Sequence, residues 1–250
     1  MQKVRRALGR IQLSLGQVSA VRSAPTRRVA LFLSGSLEWR ARFNHDGPPR
    51  LPRPSESTRG TSMANPNCIL RLKVTREIAP PIWRRLEIPS DFTLARLHRV
   101  LQVAMGWTDS HLHQFLAGED RYGPLDSEMQ ENQRDEGATS VGDVLRSSGD
   151  RLGYKYDFGD GWEHEIVLEG ILIPDTGVSY PICVGGERAC PPEDCGGIPG
   201  YSDFLQAVRD PSHPEHAELI EWVGGTFDPE SFSVEGVNRL LRSRSRKARA

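Results

Sequence analysis

The 250-residue sequence has no run of about 18 or more apolar residues, the length that a membrane-spanning helix requires. The apolar stretch from Val29 to Leu33 is far too short. Cysteine is also scarce, with four residues in the chain, and three of them lie between Cys183 and Cys195. This distribution fits a local metal or thiol site in a reducing compartment better than a secreted disulfide scaffold. We therefore expect a soluble protein of the cytoplasm that makes no membrane contact.

Acidic residues are scarce at both ends of the chain, whereas basic residues are scarce in its middle. Residues 1–62 carry 12 Lys/Arg against 3 Asp/Glu, residues 63–238 carry 14 against 30, and residues 239–250 carry 6 against none. The acidic middle excludes a broad basic surface that would neutralise phosphates. Any contact with nucleic acid would therefore fall to the ends.

The composition predicts three parts. Residues 1–62 are rich in Arg, Ser and Pro, cannot build a core, and are expected to be a disordered leader. Apolar residues at helical spacing among arginines near its start are typical of an organelle-targeting presequence. Met63 directly precedes the first well-patterned strand, however, so we favour a leader translated from a misplaced start codon. The domain is predicted to span 63–241, followed by a disordered basic tail at 242–250.

Hydrophobic periodicity predicts an α+β fold with an antiparallel sheet. Two alternating segments read as a β-hairpin, a stripe between Thr93 and Gly106 as a capped helix, and a segment at His113 as a third strand, which makes a ββαβ unit. A polar loop, a short helix, a second hairpin and a helical C-terminal third follow. The predicted segments are 68–75, 82–88, 94–105, 113–118, 119–137 for the loop, 141–145 for the short helix, and helices around 201–208, 219–223 and 234–241.

The second hairpin contains Gly159-Asp160-Gly161 at its turn. A three-residue loop with Gly161 in the left-handed conformation is predicted there. This loop puts the aromatic residues Tyr154, Tyr156, Phe158 and Trp162 on one face with His164, Ile166 and Leu168, and it puts Lys155, Asp157, Glu163 and Glu165 on the other. It pairs Lys155 with Glu165 but places Asp157 opposite Glu163, a like-charge pair that is destabilising unless it is solvated or bridged by a bound group.

Six motifs follow one another along the chain. They are Pro80–Arg85, Ala104–Trp107, Ser110–Phe115, Tyr156–His164, Cys190–Gly197 and Phe227–Pro229. Together these motifs resemble, over nearly all of 65–241, the plasmid pRiA4b ORF-3-like family. That resemblance implies an α+β fold of bacterial and archaeal proteins, often carried on plasmids and sometimes labelled transposon passengers of resolvase type. Arg96 stands where many relatives have an acidic residue, so the helix after Thr93 lacks a reciprocal capping box.

The cysteines form one candidate metal site. Cys183, Cys190 and Cys195 are spaced C-x6-C-x4-C in a Gly- and Pro-rich loop and offer three thiolates where zinc prefers four ligands. His164 is our fourth candidate, and Asp194, His213 or His216 are alternatives. Buried structural thiols, or a disulfide, would explain the same pattern.

A carboxylate-rich group offers a second candidate site. Asp157, Asp160, His164, Glu193 and Asp194 supply the groups from which a hydrolytic metal site is built. The predicted hairpin puts His164 and Asp157 on opposite faces, so the same residues also read as turn-formers and a core histidine.

Histidines and tryptophans carry two further hypotheses. His98, His111 and His113 could gather on one side of the ββαβ unit. The favoured interpretation of each is a structural histidine with its hydrogen bonds satisfied by neighbouring residues. Trp83 is expected off the apolar face of its strand, and with Arg85 it is a candidate recognition surface.

Neither a nucleophile–base pair nor a phosphate-cradling loop stands out. The acidic domain also lacks the recognisable arginine-supported serine and basic DNA-binding module of a serine resolvase. We therefore expect a binding or accessory protein associated with plasmids or mobile elements, with a protein or nucleic-acid partner. The alternative is a metal-dependent hydrolase or nuclease that uses the carboxylate and histidine group, with zinc in the cysteine loop.

Overall fold

The computed structural model describes residues 68–76, 78–125 and 133–247, and all of them belong to one compact unit. The predicted leader at 1–62 lies outside the described residues. The described residues of this unit form eight strands and five helices. They are β1 (Ile69–Arg76), β2 (Ile82–Pro89), α1 (Leu94–Met105), β3 (His113–Ala117), β4 (Asp120–Gly123), β5 (Gln133–Asp135), α2 (Val141–Val144), β6 (Arg151–Tyr156), β7 (Trp162–Leu172), β8 (Ile182–Glu187), α3 (Gly197–Arg209), α4 (His216–Trp222) and α5 (Val234–Lys247).

All eight strands join one sheet in the order β5-β4-β3-β6-β7-β1-β2-β8. The α+β class is therefore confirmed. The sheet is mixed, not antiparallel as predicted, because β5 runs parallel to β4. β1, β2, α1 and β3 follow one another along the chain, but β6 and β7 lie between β3 and β1, so these four elements do not form a contiguous unit.

The first long helix begins and ends where its local sequence indicates. The Thr93 side chain accepts a hydrogen bond from the Arg96 amide, and Gly106 ends α1 with a φ of 83°. α1 buries Leu94, Leu97 and Leu101 against the sheet residues Leu86 and Tyr154 in one hydrophobic core. Burial of this apolar stripe is what holds the helix, since isolated helices of such length are marginal in water.

The second hairpin has a five-residue loop, so the predicted three-residue loop is wrong. Tyr156 pairs with Trp162, and Lys155 pairs with Glu163 rather than with Glu165. The faces are nevertheless as predicted, because a shift of two residues preserves the alternation of a strand. The supposed like-charge pair of Asp157 and Glu163 does not form, since Asp157 belongs to the loop.

Three strands were missed by the periodicity. β4 and β5 lie inside the predicted polar loop, and β8 lies inside the cysteine segment. β4 and β5 have only four and three residues, and β5 and β8 are the edge strands of the sheet, which need little apolar alternation. Asn238 of α5 supports β8 directly: its side chain accepts a hydrogen bond from the Cys183 amide at 2.8 Å and donates one to the Cys183 carbonyl at 2.8 Å.

The last helix runs further than expected. α5 extends to Lys247, whereas a disordered tail was predicted from residue 242. Arg and Lys are good helix formers, and positive charge at a helix C-terminus is favourable, so the basic residues continue the helix. Among the described helices, none combines the length and the apolar character that crossing a membrane would need.

Candidate functional site

A hydrogen-bonded hub around Glu193 joins three loops at one end of the sheet. Tyr156, the last residue of β6, donates its phenol proton to Glu193 Oε1, and the Ser110 amide donates to the Tyr156 oxygen at 3.0 Å. The amide and the hydroxyl of Thr108 both donate to Glu193 Oε2. We call residues 107–112, 157–161 and 190–196, which these bonds hold together, the loop-end surface.

Aromatic packing fixes the hub from below. Trp107 is buried, stacks on Tyr156 with ring centroids 4.8 Å apart, and donates its indole N–H to the Pro191 carbonyl at 3.0 Å. Burial and the Glu193 carboxylate together raise the pKa of Tyr156, so its phenol stays a donor. The loops are therefore held together by a hydrogen bond whose donor, the Tyr156 phenol, keeps its proton.

The hub places three side chains side by side, each from a different loop. His111 Nε2 lies 3.6 Å from Asp157 Oδ2 and 3.3 Å from Asp194 Oδ1. We call these three residues the His111 cluster. The Asp157 side chain is 9% exposed, that of His111 25% and that of Asp194 66%, so the cluster opens to solvent on its Asp194 side.

The local backbone conformation orients the carboxylates of Asp157 and Asp194. Asp157 has a φ of 56° and Asp194 a φ of 60°, the left-handed conformation that aspartate tolerates better than most residues. Asp157 Oδ1 accepts hydrogen bonds from the amides of Gly159 and Asp160, an Asx-type turn that leaves Oδ2 directed at His111.

Asp160 has a structural role in this arrangement. Its Oδ2 accepts a hydrogen bond from the Gly196 amide at 3.1 Å, directly before α3. The backbone of the two loops is so close that a Cβ on Gly197 would lie 2.6 Å from the Asp160 carbonyl oxygen. Asp160 thus ties the hairpin loop to the start of α3 and is not part of the His111 cluster.

His98 and His113 meet as the sequence predicted, although His111 does not join them. Their rings stack with centroids 3.5 Å apart and an angle of 5° between the planes. His98 Nε2 lies 2.7 Å from Asp109 Oδ1, and His113 Nε2 lies 2.7 Å from Glu136 Oε2. Burial, followed by the proximity of His113, lowers the pKa of His98. Each ring already has a carboxylate partner, so this pair reads as structural.

His164 lies in the core, as the core-histidine interpretation expected. It is 1% exposed, its Nδ1 lies 3.3 Å from the Tyr154 carbonyl oxygen, and Trp107 packs edge-on against it. Of the five residues proposed for a hydrolytic site, Asp157 and Asp194 come together, whereas His164, Asp160 and Glu193 have other partners.

None of the four cysteines, all of which lie among the described residues, takes part in a disulfide. Among the described residues, two groups of three metal-ligating side chains come within reach of one ion, and neither contains a cysteine. Cys183 donates to the Gly185 carbonyl, and Cys190 contacts Met105 and the Arg84 guanidinium. Burial raises the pKa of Cys183, which favours the thiol over the thiolate that zinc binds. The zinc hypothesis stays a prediction, without a gathered ligand set to support it.

Trp83 and Arg85 lie together on the other face of β2. The Arg85 guanidinium is 5.3 Å from the centre of the Trp83 ring and forms a two-bond contact with Glu169 at 2.6 and 2.9 Å. Both side chains are half-buried. Because Glu169 already occupies the guanidinium, this pair reads first as a stabilising surface contact, and its recognition role stays a prediction.

The fold and the site define an α+β protein with a mixed eight-stranded sheet, whose loops gather an imidazole and carboxylates at one end. The chain belongs to the plasmid pRiA4b ORF-3-like family, whose model matches residues 68–236. It is 39% identical over 188 residues to the uncharacterized protein y4hQ of Sinorhizobium fredii (strain NBRC 101917 / NGR234), covering 72% of this chain and 96% of that protein. A crystal structure of the protein of unknown function MM3350 from Methanosarcina mazei Go1 is 36% identical, with a TM-score of 0.60, covering 67% of this chain and 96% of that one.

Sequence reasoning missed His111 as a site residue. It was grouped with His98 and His113 because of its spacing to them, whereas its partners lie in loops far along the chain. One signal was present in the motif series. The segments that contain Ser110-His111, Tyr156-Asp157 and Glu193-Asp194 are three of the six that carried the family resemblance, and they meet at the hub.

Proposed function

We propose that the protein is a binding protein and that the loop-end surface takes up a positively charged ligand. The observation that carries this proposal is the hub: Tyr156 and Glu193 hold three motif-bearing loops together, with the Asp194 side chain 66% exposed to solvent. Functional residues commonly lie on loops that a rigid scaffold positions.

Charge decides the sign of the ligand. The three segments of the loop-end surface contain no Lys or Arg, and they carry the carboxylates of Asp109, Asp157, Asp160, Glu193 and Asp194. A surface of one sign attracts ligands of the opposite sign and repels its own. A metal ion or a basic protein segment therefore fits this surface, and the phosphates of nucleic acid do not.

A cation that binds by charge alone tests the proposal. Hexaamminecobalt(III) keeps its ammine shell, so it reports electrostatic uptake without metal coordination. We expect saturable shifts of the loop-end amides in 15N NMR spectra, with affinity reduced several-fold in Asp194→Asn. Asp91→Asn is the matched control, because it removes the same charge at the N-terminal end of α1, about 18 Å of helix away from the loop that follows α1. Equal affinity of the two variants would overturn the proposal.

A metal-dependent hydrolase is the second candidate, in a changed form. His111 takes the position that His164 was given, beside Asp157 and Asp194. Three protein ligands leave coordination positions for water, which is the arrangement of catalytic metal sites. Mn2+-dependent hydrolysis of a chromogenic phosphodiester that is lost in His111→Ala would support this candidate. Turnover no faster than that of free Mn2+ would remove it.

The accessory role in plasmids or mobile elements rests on the name of the family. A basic protein segment is the macromolecular partner that the charge of the loop-end surface favours, and direct contact with nucleic acid is not favoured there. Retention of the protein on heparin at physiological salt, lost in a chain truncated after Leu241, would instead place a phosphate-binding role on the basic end of α5.

A further inference from the structure

Three histidine–carboxylate contacts in this protein can be compared with one another. His98 with Asp109 and His113 with Glu136 are both 2.7 Å apart, the distance of a charge-assisted hydrogen bond. In the His111 cluster the corresponding distances are 3.6 Å and 3.3 Å. The His111 imidazole therefore faces two carboxylates at ion-pair distance, and its Nε2 forms no hydrogen bond with either.

The ring nitrogen of His111 is a buried polar atom in need of a partner. Its Nε2 is inaccessible to solvent and has no hydrogen bond among the described residues. Leaving such an atom unsatisfied costs free energy, so native structures rarely do it without a bound group. Asp157 Oδ2, on a side chain that is 9% exposed, lies 3.6 Å from this nitrogen, and it is the Oδ1 atom that accepts from the amides of Gly159 and Asp160.

The spacing of the three atoms suits a shared ion. Nitrogen and oxygen ligands lie about 2.1 Å from a transition-metal ion, so two ligands on one ion lie roughly 3.0 to 3.5 Å apart at angles between 90° and 109°. The His111–Asp194 distance of 3.3 Å lies within that range, and the His111–Asp157 distance of 3.6 Å is just above its upper end. All three ligand atoms lie within 4.8 Å of one another.

The surrounding bonds orient the ligands in the way that metal sites require. The amides of Gly159 and Asp160 hold Asp157 Oδ1, which leaves Oδ2 for an ion. Hydrogen bonds of the neighbouring residues Ser110, Tyr156 and Glu193 fix the backbone that carries each ligand. Such outer-shell contacts are what set the geometry and affinity of a metal site.

The second three-residue group is a poorer candidate. His98 and His113 stack face to face with centroids 3.5 Å apart, so the lone pairs of their ring nitrogens lie in nearly parallel, separate planes and do not point at one shared ion. Their Nε2 atoms are already engaged by Asp109 and Glu136.

We propose that His111 Nε2, Asp157 Oδ2 and Asp194 Oδ1 bind one divalent transition-metal ion, with solvent completing its coordination on the exposed Asp194 side. One imidazole and two carboxylates suit Mn2+, Fe2+, Co2+ or Zn2+ better than Mg2+ or Ca2+, which prefer oxygen ligands alone. The inference deepens the proposed function, because it names the cation that the loop-end surface takes.

Co2+ is the most informative probe. Equilibrium dialysis of the full chain, first stripped of metal by a chelator, should give one equivalent bound. The visible spectrum should show the bands of nitrogen and oxygen coordination, without a near-ultraviolet sulfur-to-cobalt charge-transfer band. Anomalous diffraction from Co2+-soaked crystals should place the ion about 2.1 Å from all three ligand atoms.

Variants then separate specific from adventitious binding. His111→Ala and Asp194→Asn should each weaken Co2+ binding at least about tenfold, since even outer-shell changes cost that much. His213→Ala, which removes a partly exposed histidine elsewhere, should leave affinity unchanged. Asp194→Asn alters a mostly exposed side chain, so its effect is not attributable to misfolding.

Three outcomes would overturn the inference: no stoichiometric binding, binding undiminished in both His111→Ala and Asp194→Asn, or a thiolate charge-transfer band. The outcome for the proposed function is separate. Uptake of hexaamminecobalt(III) that depends on Asp194, without coordination of Co2+, would leave a cation-binding surface and remove the metal centre. If neither hexaamminecobalt(III) nor Co2+ bound, both the cation-binding surface and the metal centre would be ruled out.

Discussion

The phenol of Tyr156 donates a hydrogen bond to the carboxylate of Glu193, 37 residues further along the chain. Through the same oxygen, Tyr156 accepts from the amide of Ser110, 46 residues earlier. One side chain therefore joins the three loops that hold His111, Asp157 and Asp194.

Tyr156→Phe should destabilise the protein by about 1 to 3 kcal/mol, because it leaves a Glu193 oxygen and the Ser110 amide without their partner. Urea unfolding followed by circular dichroism measures this loss. Tyr180→Phe is the control, since its hydroxyl accepts a single long bond of 3.3 Å from an exposed amide, and it should change stability by less than about 0.5 kcal/mol. Equal losses in the two variants would contradict the role of the hub.

Gly197→Ala should be more destabilising than Gly149→Ala. Both glycines have positive φ, 68° and 95°, so alanine is strained at either position by about 1 to 2 kcal/mol. At Gly197 the new Cβ would also meet the Asp160 carbonyl oxygen at 2.6 Å, whereas at Gly149 nothing lies within 4 Å. Thermal unfolding of both variants isolates the cost of the close approach. Similar melting temperatures would show that the hairpin loop and α3 are not held together as described.

As the pH is lowered below about 6.5, the free energy of unfolding should decrease, in part because of His98. Burial and the neighbouring His113 lower the pKa of His98 in the folded protein, so the unfolded chain takes up a proton at a higher pH than the folded one. The free energy of unfolding therefore rises with pH until His98 is neutral in both states.

His98→Asn provides the comparison. It should be less stable than the wild type at pH 7.5, because it loses the contacts with Tyr154 and Asp109, but the difference should shrink at pH 5.5. Urea unfolding at the two pH values measures it. A difference that grows on acidification would mean that His98 is protonated in the fold.

Arg84→Lys should cost about 2 to 4 kcal/mol, although the charge is kept. Arg84 is 2% exposed and donates to the carbonyl oxygens of Ala104, Trp83, Glu187 and Arg188, with the Phe232 ring 3.9 Å from its guanidinium. A lysine has fewer donors and cannot reach all four carbonyl groups.

Arg85→Lys, on the next residue, is the control for Arg84. Its ion pair with Glu169 lies near the surface, where such pairs contribute less than about 1 kcal/mol. Chemical unfolding of both variants gives the two losses. A larger loss for Arg85→Lys would contradict the assignment of Arg84 as the internal connection between α1, β2 and the segment after β8.

Local patterns predicted the regular elements well. The apolar stripe, Thr93 and Gly106 placed α1 correctly, since a helix of this kind is determined by contacts three and four residues apart and by its caps. The face assignment of β6 and β7 was right for the same reason, although the loop length was not. The five-residue turn depends on the hydrogen bond from the Gly159 amide to the Asp157 side chain and on the one from the Asp157 amide to the Leu112 carbonyl. Hydrophobic periodicity does not reveal such bonds.

The candidate site was predicted only in part. Asp157 and Asp194 were named, and they do come together, but His164 was named in place of His111. His164 follows Asp157 closely in the sequence, so proximity along the chain favoured it, whereas strand alternation puts it in the core.

By itself the sequence determined the α+β class, the core faces of the main strands and helices, and the acidic character of the domain, because each depends on residue type and short-range spacing. Only the tertiary structure decided that Thr108 and Glu193, 85 residues apart, share a hydrogen bond and so bring His111 to Asp157 and Asp194. Closing loops of that length depends on the order of all eight strands, since the sheet as a whole sets which loops emerge at the same end.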